Sequence, residues 1–167
     1  MRPRSCTQFG LTLVELLVTI VVLGILLGIG VPSFQSMLAQ NRATSVANDL
    51  QSTLQFARST AIAQARPVIV CVANYANDPA TCSAANGNWH NGWIVLMDGQ
   101  ILREHRALNP SITLTGRPQW EYTTTGTLIG QNIVNFDLTV NSGPGAERRI
   151  CMTISGSSRI IPGGAAC

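Results

Sequence analysis

Lysine is absent from this chain of 167 residues; its eleven basic side chains are all arginines, set against eight acids. The formal charge of +3 overstates even that small excess, because Arg2 and Arg4 lie in the first few residues and without them the balance is near +1. Such a balance gives no strong sign of nucleic-acid binding. Catalytic signatures are missing too: there is no nucleophile elbow, no Walker loop and no His-Glu-x-x-His. The two histidines, His90 and His105, lie far from any paired-cysteine motif, and the cysteine spacings do not match zinc knuckles. The sequence therefore predicts no enzyme, no metal site and no cofactor. His90 beside Trp89 reads as a loop residue, His105 as a strand-end residue, and Glu104-His105-Arg106 as a solvated surface cluster. No internal repeat or low-complexity tract appears.

What the chain does have is a membrane-length apolar run with one carboxylate inside it. Leu11 to Val31 is 21 residues long, close to the ~20 a helix needs to span the hydrocarbon core. Glu15 sits within it. An acidic side chain at bilayer depth costs about 2.5–3.5 kcal/mol on insertion scales, so a retained one implies a partner charge. The basic start Met1-Arg2-Pro3-Arg4 would face the cytoplasm, with the C-terminal bulk outside. An ordinary secretory signal does not fit. The apolar segment is too long, and no Ala-x-Ala site precedes a polar mature start. Gly10 instead stands before the run, so cleavage there would leave the apolar helix in the mature protein.

The segment Phe9-Gly10-Leu11-Thr12-Leu13-Val14-Glu15-Leu16 resembles the class III signal of type IV pilins and type II secretion pseudopilins. That resemblance implies a prepilin peptidase cutting the Gly10–Leu11 bond on the cytoplasmic side and N-methylating Leu11. It makes Glu15 the family's acidic residue at mature position five. The first mature residue is usually Phe and here is Leu. Physical logic points the same way. In a helical bundle the Glu15 carboxylate can lie beside a neighbour's free amine, and a paired charge escapes most of its desolvation penalty. Assembly then selects axial register. Gly24, Gly28 and Gly30 would let helices approach closely, and Pro32 removes a helix hydrogen bond and would kink or loosen the helix.

Beyond Pro32 an amphipathic helix is expected over residues 33–66. Phe34, Met37/Leu38, Val46, Leu50, Leu54, Ala57 and Ala61 recur at spacings of three or four, with Gln35, Gln40, Asn48, Gln51 and Gln55 between them. Arg66-Pro67 should end it. From Pro67 to Cys167 the texture is β. Val68–Val72 is a β-branched run, and Asp98-Gly99 is a hairpin signal between residues 92–97 and 101–104. Further strands are expected at 111–114, 133–140, 149–154 and 158–161, with loops at 74–91 and 141–147. The predicted organisation is a leader over 1–10, a transmembrane or filament-core helix over 11–32, the amphipathic helix, and an antiparallel β head over 67–167. The fold class is α+β and pilin-like, a long N-terminal helix packed on an antiparallel sheet.

Phe56-Ala57-Arg58-Ser59-Thr60-Ala61-Ile62, Val70-Cys71 and Asn91-Gly92-Trp93-Ile94-Val95 with Asp98 extend the likeness to the minor-pilin and pseudopilin H family. Val31-Pro32-Ser33-Phe34 looks like its pilus branch. Four cysteines remain after leader removal and permit three pairings. Cys71–Cys82 with Cys151–Cys167 closes the two shortest loops, each contributing about 3 kcal/mol by loop entropy in an oxidising compartment. Some relatives bind DNA during natural transformation through Gly-Arg-x-Arg. Here the comparable stretch is Gly156-Ser157-Ser158-Arg159, leaving Arg148, Arg149 and Arg159 as candidate phosphate contacts.

The resemblance thus implies a minor pilin that primes or caps type IV pilus assembly. It would be made in the bacterial inner membrane with its head in the periplasm and then built into the filament. Its implied partners are the prepilin peptidase, other minor pilins, the major pilin and the inner-membrane assembly platform. The alternatives are a DNA-binding minor pilin for DNA uptake and a type II secretion pseudopilin.

Overall fold

A computed structural model of the chain describes residues 12–77, 79–83, 87–130, 133–140 and 145–167. The chain divides into two compact units, Met1–Gln35 and Ser36–Cys167. One helix, α1 (Leu13–Gln64), contributes to both and runs through Pro32. In the first unit every described residue from Thr12 to Gln35 is exposed. This stretch carries the one segment among the described residues that is long and apolar enough to cross a membrane, with a mean hydropathy of 2.7.

The second unit is the head. On its part of α1 the buried residues are Ala39, Ala43, Val46, Ala47, Leu50, Thr53, Leu54, Ala57 and Ala61. Spacings of three and four place them on one face. This face starts later than the sequence predicts. Phe34, Met37 and Leu38, expected in the apolar stripe, are exposed. Small alanines at 39, 43 and 47 hold the buried positions instead, which lets the backbone lie close to the strands. The helix ends at Gln64, with Ala65 in the left-handed region at φ 49° and the Arg66 N–H donating to the Ala61 carbonyl. Pro67 then starts extended chain, as the sequence predicts.

Among the described residues nine strands follow: β1 (Val68–Asn74), β2 (Thr81–Cys82), β3 (Trp93–Met97), β4 (Gln100–His105), β5 (Ile112–Thr115), β6 (Gln119–Tyr122), β7 (Ile133–Val140), β8 (Arg148–Thr153) and β9 (Ser158–Pro162). They form two antiparallel sheets. In the first the order is β2-β1-β3-β4, with β6 also paired to β1; in the second it is β5-β7-β8-β9. Two strands stand where none was expected. β2 lies inside the predicted 74–91 loop, and β6 alternates polar and aromatic residues right after Pro118. A 3-10 turn, Trp89–Asn91, follows β2.

Both sheets contribute to one core with the helix. Val68, Val70, Trp93, Val95, Trp120 and Tyr122 come from the first sheet, and Leu114, Phe136, Ile150 and Met152 from the second. Three tryptophans knit the middle. Trp89 meets Phe136 edge-on at 4.8 Å and Trp120 meets it at 5.9 Å. The buried indole N–H groups of Trp89 and Trp93 donate to the Arg117 carbonyl and to Thr53 Oγ1. The β1 run is apolar without alternation because both its faces are covered. Val68, Val70 and Val72 face the main core. Cys71 and Ala73 join Ile94 in a second cluster on the other face.

Candidate functional site

The first turn of α1 places the carboxylate that the sequence singles out. Thr12 caps the helix: its Oγ1 accepts the Glu15 N–H at 3.2 Å, and its carbonyl accepts the Leu16 N–H. Thr12-x-x-Glu15 is thus a capping pattern, satisfying an amide that would otherwise be orphaned and setting an acid where the helix dipole favours it. Sequence reading weighed Glu15 as a buried charge and overlooked Thr12, although Thr-x-x-Glu before an apolar run was the available signal. Gly10 and Leu11, the expected cleavage and methylation positions, lie outside the described residues. A Cβ built on Gly24, Gly28 or Gly30 meets nothing within 4 Å.

In the head both cysteine pairs are bonded. Cys71–Cys82 ties β1 to β2 with Cα atoms 5.5 Å apart, and Cys151–Cys167 returns the C-terminal residues to β8 at 5.6 Å. Residues 163–167 lie along the outer face of the second sheet. Arg149 Nη1 donates to the Ala165 carbonyl and Arg159 Nη2 to the Cys167 carbonyl.

The three candidate phosphate-binding arginines do not form one patch. Arg149 and Arg159 share the outer face with Cys151, since Cys151 opposes Arg159 across β8 and β9. Arg148 belongs to the alternate side with Ile150 and Met152, and its guanidinium serves the Gly145 and Glu147 carbonyls. Arg149 is also neutralised by Asp137, with Nε to Oδ1 at 2.6 Å. Ser157, where the Gly-Arg-x-Arg pattern has its first arginine, hydrogen-bonds Thr153 within its own turn.

The remaining polar residues mostly hold the head together. His105 stacks on Trp93 at 3.9 Å and its Nε2 lies 4.0 Å from Asp49 on α1. It is therefore a helix-to-strand contact rather than part of a loose cluster, while Glu104 and Arg106 do pair at the surface. Arg58, another residue given no role from sequence, donates from Nε to the Gly126 carbonyl at 3.0 Å. Tyr122 is buried, its hydroxyl has no hydrogen-bond partner among the described residues, and desolvation pushes its pKa well above the ordinary 10.0. Among the described residues no cluster of three or more His, Cys, Asp or Glu side chains is arranged to hold a metal ion.

An exposed apolar helix that opens on a capped glutamate, followed by a helix-packed antiparallel head, defines the pilin and pseudopilin class. The family model described as type II transport protein GspH matches residues 46–158, and that of the prokaryotic N-terminal methylation motif matches residues 6–31. The chain belongs to the GspH family and is a membrane-anchored structural subunit of the pilin and pseudopilin kind. No curated protein sequence matches it. Among solved structures, the type IV minor pilin FimU of Pseudomonas aeruginosa superposes with a TM-score of 0.59 at 22% identity, covering 76% of this chain and 93% of that one. A second crystal form of FimU gives 0.57 at 22%, covering 74% and 96%. The minor pseudopilin EpsH of Vibrio cholerae gives 0.53 at 13%, covering 74% and 99%. At these identities the likeness is one of fold.

Proposed function

We propose that this chain is a minor pilin, processed at Gly10–Leu11, N-methylated on Leu11, held in the bacterial inner membrane with its head in the periplasm, and built into a type IV pilus near its tip or initiation complex. There it primes polymerisation and links other minor subunits to the major pilin. The observation that carries this reading is the segment from Thr12 to Gln35, exposed throughout and apolar over a membrane length, with Glu15 in its first turn. Its apolar surface needs lipid before assembly and neighbouring helices after it. Glu15 needs a cation in the second setting, which the methylated amine of a neighbour supplies. Pro32 within Val31-Pro32-Ser33-Phe34 supports the pilus over the secretion filament. DNA capture is not the favoured reading, because Arg148 faces away from Arg149 and Arg159 while Arg149 is held by Asp137.

The test is recovery in sheared pili. Glu15→Leu removes a costly carboxylate, so membrane insertion stays intact or improves while incorporation into pili falls. Mass spectrometry of the membrane-extracted wild type should show an N-methylated Leu11 start. Equal recovery of mutant and wild type, or an intact Met1 terminus in cells that carry the peptidase, sinks the proposal.

A further inference from the structure

One end of the first sheet gathers an exposed aromatic ring and a set of unused polar groups. β1 runs out there, β3 begins and β4 finishes, since Val72 opposes Trp93 and Trp93 opposes His105. Tyr75 directly follows β1 and is 43% exposed. Its hydroxyl donates to the His105 carbonyl at 3.1 Å, which fixes the ring at the surface. Gly92 makes room for it, because a Cβ there would lie 2.9 Å from the Tyr75 oxygen. Two cavities adjoin at this point, with Tyr75 and Ala107 in the walls of both. One, of ≈ 450 Å³, is also lined by Ala73, Asn74, Ser83 and Asn91. The other, of ≈ 350 Å³, is also lined by Glu104 and Arg106. Both fall in the size range of small-ligand sites.

The chemistry of the walls narrows the ligand. Ser83 Oγ and the Asn91 side-chain amide make no hydrogen bond with any described residue, and Asn74 uses only its Oδ1, which accepts the Ala76 N–H. These neutral side chains offer both donors and acceptors. The charged groups oppose each other: Arg106 Nε lies 3.9 Å from Glu104 Oε1, so neither an anion nor a cation meets an unopposed counter-charge. A wholly apolar ligand would cover the polar side chains without pairing them. A proline-rich peptide docks in a groove lined by aromatics, and Tyr75 is the one aromatic residue among the described residues in either wall. A pyranose ring meets every condition. It is uncharged, has C–H groups on its faces to lie against the Tyr75 ring, and carries hydroxyls round its edge for Ser83, Asn91 and the Asn74 Nδ2. The walls are also held in place beforehand. Ser83 follows Cys82 of the disulfide and its N–H donates to the Val72 carbonyl, while the Asn91 N–H donates to the Asn88 carbonyl. Little ordering cost then falls on binding.

We propose that this end of the first sheet is a binding site for a neutral saccharide, with two linked sugar rings occupying the adjoining cavities on either side of Tyr75. The site is independent of the filament reading and holds whichever assembly the subunit joins.

The test uses the full chain in micelles of a detergent without a sugar headgroup. The chain has two tyrosines, so isotope-labelled tyrosine rings report Tyr75 and the buried Tyr122 alone. The probes are cellobiose, maltose, lactose and N,N′-diacetylchitobiose. At least one should shift the Tyr75 signals saturably, with a roughly millimolar dissociation constant, and leave Tyr122 unmoved. Sorbitol, which has the hydroxyls without a ring face, should not saturate, and glucuronate and glucosamine should bind no more tightly than glucose. Ser83→Ala and Asn91→Ala should each weaken the best disaccharide about three- to tenfold. Read by saturation transfer to the sugar protons, Tyr75→Leu should weaken it at least about tenfold, and Tyr75→Phe, which keeps the ring, by less than Tyr75→Leu. No saturable shift with any disaccharide, equal binding of sorbitol, tighter binding of a charged sugar or of a proline-rich peptide, or affinity unchanged by Asn91→Ala and Tyr75→Leu would overturn the assignment.

Discussion

Single residues decide how closely the head's turns pack. Gly156 and Gly126 both have positive φ, at 77° and 76°. A Cβ on Gly156 would collide with the Gly126 carbonyl oxygen, the same atom that accepts from Arg58. Gly156→Ala therefore combines a left-handed backbone penalty with overpacking and should cost about 2–4 kcal/mol, read as a lower denaturant midpoint at an unchanged m-value. Tyr122 makes a different point. Burial raises its pKa, so the folded state keeps the phenol proton after the unfolded chain has begun to lose it. The unfolded state then binds fewer protons, and stability falls as pH rises above about 10. Below that value the contribution is fully present. Tyr122→Phe should flatten this alkaline loss. At pH 7 it should leave stability within about 1 kcal/mol of wild type or raise it, since the removed hydroxyl has no partner among the described residues. An unchanged slope between pH 10 and 12 would count against the burial argument. Neither effect was legible in the sequence. Gly156 stands in the sequence as the first residue of Gly156-Ser157-Ser158-Arg159, with nothing to show its approach to Gly126, and Tyr122 stands in a stretch without a strand signal.

At the scale of elements, what could be read depended on how long and how periodic each signal was. The long helix, its stop at Arg66-Pro67 and the Asp98-Gly99 hairpin follow from local chemistry and appear in the structure. β2 escaped because two residues offer no alternation, and β6 because Gln119-Trp120-Glu121-Tyr122 carries no β-branched residue, unlike the equally short β5 with Ile112, Thr113 and Thr115. The start of the buried helix face was misplaced for a related reason. Phe34, Met37 and Leu38 are the more hydrophobic residues, but Ala39, Ala43 and Ala47 fit where strands come close. β2 has only two backbone pairs to β1, Ala73 with Cys82 and Asn74 with Thr81, so it should depend on its disulfide. Paired Cys71→Ser and Cys82→Ser should lower stability by about 3 kcal/mol. Hydrogen exchange should then quicken at Ser83, whose N–H donates to the Val72 carbonyl, while β8 and β9 are unaffected. Uniform quickening across the head would mean that β2 is not separable from it.

For the molecule as a whole, the sequence separates a membrane-length apolar run from an amphipathic stripe along α1, because the two have different compositions. What it did not locate was where the head's own core begins. The compact head unit starts at Ser36, and its first buried residue is Ala39. Everything buried on α1 lies between Ala39 and Ala61, so a fragment starting at Ser36 keeps the whole packed face and, of the described residues, loses only exposed ones. Such a fragment should be soluble without detergent and should unfold in one cooperative transition. A fragment starting at Asn48 would lose Ala39, Ala43, Val46 and Ala47 from the core. At about 0.8 kcal/mol for each buried methyl or methylene group, it should be less stable by at least about 3 kcal/mol. The strands opposite those positions would be left facing water, so the loss should appear as a lower melting temperature together with new binding of a hydrophobic dye. Two fragments of equal stability would show that the N-terminal turns of the head helix contribute nothing to its core. An insoluble Ser36 fragment would show that the apolar segment is required to fold the head, and not only to anchor and assemble it.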